Sequence, residues 1–339
     1  MEDNKLRKKG ISGIGFRYSI FAILVVAIQM GLSTAIHLFA TNLTDRQDSF
    51  LSFLLIIISM DVIGFPFVFL LHKKLEKVHI EKTKLGFWKY VSGIFICAGF
   101  CGVGGIIGAV LNALLTVPFG GQMNDTTIVT LMMDSNPLIR ILTVAILAPI
   151  FEELIFRKVL VDHLAKYGKV VAIVASGLMF GMFHGNFAQC FFASFLGFFF
   201  AYVYLKTGNI LYTIGYHMII NFTTSVFTMF FTTRFLAVYT EENMNALSAG
   251  SVDAAAIILP PMLMYIAWMG FLGLCALAGI VLFFINLKKF KVNEAEGALT
   301  KGQSIKAVIT NPGMIVFFVI CAGLFLQSYL PGIVKFFIK

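Results

Sequence analysis

What most limits the fold of this chain is a series of apolar runs, each near the length needed to cross a hydrocarbon core of about 30 Å. They lie near residues 18–40, 50–71, 90–117, 138–164, 169–186, 188–205, 209–233, 256–287 and 311–331. In hydrocarbon a spanning segment must satisfy its own backbone N–H and C=O groups, which favours the helix. The runs predict an all-α, polytopic transmembrane helical bundle of about nine spans, in a range of roughly eight to ten. Composition agrees: 59% of the 339 residues are hydrophobic and 13% charged, against about 25% charged in a soluble domain. The fifth and sixth runs nearly fuse at GNFAQ, which leaves open a partly re-entrant segment there.

The formal net charge is +9, but the basic residues fall in blocks between spans, so membrane lipid explains them and no nucleic-acid partner is expected. The first block holds Lys5, Arg7, Lys8, Lys9 and Arg17, and the next runs from Lys73 to Lys89. Loops with Asp45 and Asp48, Asp125 and Asp134, and Glu241, Glu242 and Asp253 alternate with them. By the positive-inside rule the N-terminus is expected in the cytoplasm, and Lys335 and Lys339 on the outer tail run mildly against this. No small-residue cleavage site closes the first apolar run, so it reads as an uncleaved span. The five cysteines lack zinc or redox spacing and read as small apolar residues. Gly104 and Gly108, four apart in the third run, predict a close helix contact.

Ionisable residues inside spans call for a functional explanation. In APIFEELIFRKVL (148–160), Glu153 and Arg157 are four apart and share a helix face, whereas Glu152 points about 100° away. Glu153 is expected to neutralise Arg157, leaving Glu152 without a partner on its own helix. Phe180 and His184 in the fifth run repeat the four-residue spacing, as do His217 and Asn221 in the seventh. At 1.5 Å per residue, Glu152 lies about 20 Å and His184 roughly 22 Å from the inner ends of their helices, with His217 and Asn221 about 12 and 18 Å from theirs. A carboxylate, two imidazoles and an amide thus fall at similar depth. Pro149 is placed to bend the helix there.

Such a set suits hydrolysis. A desolvated carboxylate can act as general base on water, with a histidine orienting that water. A second histidine and an amide can stabilise an oxyanion. Alternatively Glu152, His184 and His217 could hold a zinc ion, although the HExxH motif is absent. Asp61 and Arg140 fit no motif, and Asp61 reads as a hydrogen-bonding group inside the bundle. His37, His72, His79 and His163 lie near span ends and are expected at the interface.

EELIFR (152–157), FGMFH (180–184) and HMIIN (217–221), in that order, resemble the EExxxR, FxxxH and HxxxN motifs of the CPBP family, the type 2 CAAX prenyl endopeptidase and bacteriocin-processing (Abi) proteins. The resemblance covers about residues 88–233. It divides the chain into an N-terminal arm with two accessory helices (1–87), a catalytic transmembrane core (88–235), and an outer loop with two accessory helices (236–339). It implies an intramembrane endopeptidase with Glu152 as base, His184 as its partner on the water, His217 and Asn221 at the oxyanion, and Glu153, Arg157 and Phe180 in support. Family members have been described both as metalloproteases and as metal-free glutamate enzymes, so zinc stays an alternative. A membrane-associated protein or peptide is the implied substrate, of CAAX type or bacteriocin/leader type, in what reads as a bacterial cell membrane with the cavity opening to the cytoplasm. The sequence does not give the oligomeric state. Two other readings compete: a non-catalytic membrane scaffold or bacteriocin-immunity protein, and an ion-coupled transporter. The lack of internal repeats counts against the transporter.

Overall fold

The computed structural model describes residues 2–40, 42–117, 127–294 and 298–338. Asp125 and Lys339 lie outside them. Among the described residues all regular structure is helical, and nine long rods follow in chain order: α1 Glu2–Phe39, α2 Asp45–His72, α3 Phe87–Thr116, α4 137–164, α5 Lys169–Phe183, α6 Phe187–Thr207, α7 210–238, α8 Val252–Asn286 and α9 Pro312–Ile338. Each expected run has its helix, and α1 starts well before the first run. Six of the rods (α1, α2, α3, α6, α8 and α9) are long and apolar enough to cross a membrane. The other three carry the motif residues. Of these, α5 has only 15 residues, and α4 carries Glu152, Glu153, Arg157 and Lys158 mid-length.

These costly helices occupy the middle of the bundle. The main core joins Tyr18 and Phe21 of α1, Ile155 and Phe156 of α4, Ala175 and Phe180 of α5, and Phe317 of α9. Helix α3 lies between α6 and α8, and α1 pairs with α9. Gly104 and Gly108 let the α3 backbone meet α6 at Phe192 and Phe187, where a Cβ on either glycine would collide with backbone atoms. The flanking helices therefore pack directly against those of the central segment.

Helices α5 and α6 are separate, joined by a three-residue turn. Gly185 turns the chain at φ +65°, in the left-handed region that glycine enters at little cost. Asn186 caps α6 by accepting from the Gln189 N–H at 2.9 Å.

One expectation is overturned. His72 and His163 are buried, with ring centroids 5.2 Å apart. Being near a span end suggested an interface, but the 73–86 segment folds back across the C-terminal ends of α4 and α6. Its Val78 N–H donates to the Asp162 carbonyl and its Thr83 N–H to the Thr207 carbonyl, both at 2.8 Å.

Candidate active site

Four π-helical segments interrupt the rods: Ile57–Gly64 in α2, Ile141–Leu147 and Leu154–Val159 in α4, and Thr223–Thr228 in α7. Such bulges are rare and frequent at functional sites. Glu152 and Glu153 sit on the short α-helical stretch between the two bulges of α4. Side-chain donors dock on carbonyls in those bulges. Tyr18 Oη donates to Ile155 at 2.6 Å, Ser176 Oγ to Phe156 at 3.1 Å, and Asn221 Nδ2 to Val144 at 2.9 Å. Helices α1, α5 and α7 are thereby fastened to α4 around the glutamates.

The Glu153–Arg157 pair forms as expected, with Arg157 Nη1 3.1 Å from Glu153 Oε1 and both side chains 0% exposed. The guanidinium carbon lies 4.3 Å from the Phe180 ring centroid and 5.2 Å from that of Phe200. Cation–π contact stands in for part of the lost hydration. Phe180 thus has a direct physical task, and so does Phe200, which no motif or spacing singles out.

His217 joins both acids. Its Nδ1 lies 3.0 Å from Glu153 Oε1, and its Nε2 lies 3.6 Å from Glu152 Oε2. Glu153 thus serves His217 as well as Arg157, which was not foreseen from the sequence. Glu153 also fixes the ring that faces Glu152. Helical phase describes one helix and cannot say which residues an imidazole from α7 will reach. The rings of Phe180 and Phe200 confine His217, each with its centroid 5.7 Å away. Glu152 keeps 19% of its side chain exposed, whereas Glu153 is fully buried.

His184 closes α5. Its Nδ1 lies 2.8 Å from the Phe180 carbonyl. A carbonyl only accepts, so Nδ1 carries the hydrogen and a neutral ring offers the lone pair on Nε2. Asn186 holds this end from outside, its Nδ2 donating to the His184 carbonyl at 2.8 Å. Asn186 was not foreseen, and only its place after the glycine in HGN hinted at a cap. Asn221 lies one turn beyond His217 but spends one amide hydrogen on Val144, leaving its second.

The metal alternative can be tested against these positions. Among the described residues no three His, Cys, Asp or Glu side chains converge as a ligand set. His217 has one nitrogen on Glu153, and His184 has one on its own helix, so each ring keeps its Nε2 for another partner.

Residues 134–223 match the family described as Type II CAAX prenyl endopeptidase Rce1-like. This match agrees with the likeness of the three motifs to those of the CPBP/CAAX proteases. All seven motif residues, from Glu152 to Asn221, lie inside the matched segment, while α1, α2, α3, α8 and α9 lie outside it. No curated protein and no solved structure matches the chain. The matched family is one of CAAX prenyl endopeptidases, and six helices of this chain are long and apolar enough to cross a membrane.

Proposed function

We propose that the chain hydrolyses a peptide bond of a membrane-associated protein or peptide, with Glu152 as general base. The observation that carries this reading is the chain of contacts from Glu152 through His217 and Glu153 to Arg157. It leaves one carboxylate partly open while the other is fully committed. An imidazolium at His217 would balance the charge, since two carboxylates then face one guanidinium and one imidazolium.

In this mechanism a water oxygen attacks the scissile carbonyl carbon as its proton passes to Glu152. His184 Nε2 accepts the water's second hydrogen and fixes its direction. The oxyanion receives hydrogen bonds from His217 Nε2–H and the remaining Asn221 N–H. As the C–N bond breaks, the proton on Glu152 moves to the leaving amine nitrogen. The tetrahedral centre collapses to a carboxylic acid, and Glu152 is a carboxylate again.

The substrate is proposed to be of CAAX type, with bacteriocin or leader peptides as the second class. The membrane is read as a bacterial cell membrane, with the N-terminus in the cytoplasm and the cavity opening to that side. The test uses purified protein in lipid vesicles with a farnesylated CaaX peptide and, separately, a leader peptide. Wild type is expected to cleave one of them and to keep its rate in chelator, whereas Glu152→Gln is expected not to cleave. Wild-type cleavage by Glu152→Gln would end the base assignment. A chelator-sensitive rate restored by zinc would return the metal alternative.

A further inference from the structure

Basic residues of α1 and of the chain just past α4 meet around one cavity of about 550 Å³, away from the glutamates. Lys9, Phe16 and Arg17 line it from α1, Glu76 from the 73–86 segment, and Lys166 and Tyr167 from just beyond α4. Besides His163, which turns its Nδ1 to the Val159 carbonyl at 2.6 Å, the charged lining is three cations against one carboxylate. The volume is that of a site for a small ligand or headgroup.

The cavity lies where three apolar runs stop. Arg17 directly precedes the first run, Leu75 and Glu76 follow the second, and Lys166 follows the fourth. At that level hydrocarbon gives way to lipid headgroups. Phe16, beside Arg17, is an exposed aromatic ring in the lining. A soluble anion has no use for such a ring, whereas the glycerol ester and first methylenes of a phospholipid would cover it.

The cations are ready for a phosphate. Arg17 Nη1 donates to the Gly13 carbonyl at 2.8 Å and its Nε to the Leu71 carbonyl of α2 at 3.1 Å, which leaves the hydrogens of Nη2. A guanidinium held in this way loses little freedom when it binds. Lys9 makes no hydrogen bond or ion pair among the described residues. Lys166 Nζ lies 3.4 Å from Glu76 Oε2, but the Glu76 side chain is 90% exposed. An exposed pair of this kind contributes little, so a phosphate displaces the carboxylate at small cost. Tyr167 closes one wall by lying against Gly10 of α1, where a Cβ would collide with its ring.

We propose that this cavity binds the headgroup of an anionic phospholipid, with the phosphate among Lys9, Arg17 and Lys166 and the acyl chains leaving past Phe16. A bound lipid ties α1, the 73–86 segment and the end of α4 together at one point. The proposal stands apart from the base assignment for Glu152.

The test takes the purified full chain in detergent and counts bound lipid by native mass spectrometry, with thermal unfolding of the same preparations as a second readout. Phosphatidylglycerol, phosphatidylcholine and millimolar inorganic phosphate are added in separate arms. Phosphatidylglycerol is expected to bind and to raise the unfolding temperature, and phosphatidylcholine to bind about tenfold more weakly or less. Lys9→Gln combined with Lys166→Gln should weaken phosphatidylglycerol binding by about tenfold or more. Lys82→Gln combined with Lys84→Gln removes the same charge from the 73–86 segment outside the cavity lining, and should change binding by less than about twofold. Should the first pair fail to fold, Lys9→Gln alone breaks no contact and should still cost about fivefold. Equal losses in the two double variants, or equal binding of the two lipids, overturn the proposal. A rise in unfolding temperature with inorganic phosphate alone, lost on replacing Lys9, overturns it in favour of a free anion.

Discussion

Helix α4 carries two charged clusters less than three turns apart, and they are built on opposite terms. Toward its C-terminal end, Asp162 accepts from Tyr204 Oη at 2.7 Å and pairs with Lys158 Nζ at 2.9 Å, while Lys158 also donates to Tyr204 at 2.9 Å. The Asp162 backbone carbonyl is taken by Val78. That cluster is closed. At the centre, Glu153 Oε2 and the Nε and Nη2 of Arg157 meet no hydrogen-bond partner among the described residues, and Glu152 faces outward from the group. The first cluster is tied by hydrogen bonds from two side chains and a loop, whereas the second is held by ion pairs and ring contacts.

The sharpest break in this contrast is Glu152→Gln. The cleavage rate should fall by about 10²- to 10⁴-fold, the usual share of a general base, while thermal unfolding in detergent stays as in wild type. Arg157→Leu attacks the committed half. It leaves Glu153 charged and buried with only His217, a change that typically costs about 3–5 kcal/mol, so a large drop in unfolding temperature is expected. Adding Glu153→Gln to Arg157→Leu should recover most of that stability without restoring cleavage, measured by the same unfolding and turnover assays. At the closed cluster, Tyr204→Phe should cost about 1 kcal/mol of stability and leave kcat unchanged. Tyr18→Phe falls between the two regions, because its hydroxyl holds Ile155 beside the glutamates. It should lower stability by about 1 kcal/mol and slow kcat slightly, which would set it apart from Tyr204→Phe.

Much of this was legible in the sequence. Apolar run length located the nine rods, and four-residue spacing found the Glu153–Arg157 pair, because both depend only on the local rise and turn of a helix. The π-helical segments were not legible, since Ile141–Leu147 and Ile57–Gly64 read as ordinary apolar helix. With them went the dockings of Tyr18, Ser176 and Asn221 on carbonyls of α4. HxxxN suggested that His217 and Asn221 act side by side, yet His217 turns to the glutamates while Asn221 also fastens α7 to Val144. His72 and His163 were misplaced for a related reason. Distance from a span end says nothing about a loop that later covers it.

A π-helical turn holds one residue more than an α-helical turn would. Along α4 this makes the two bulges the places where a residue can be lost. Dropping a single residue from 141–147 would let that stretch relax to a plain α-helix while the parts before and after it keep nearly the same relative rotation. Dropping one from the α-helical stretch 148–153 would instead rotate everything before it by about 100° against everything after. The bulges should therefore absorb a one-residue deletion that the glutamate-bearing stretch between them should not.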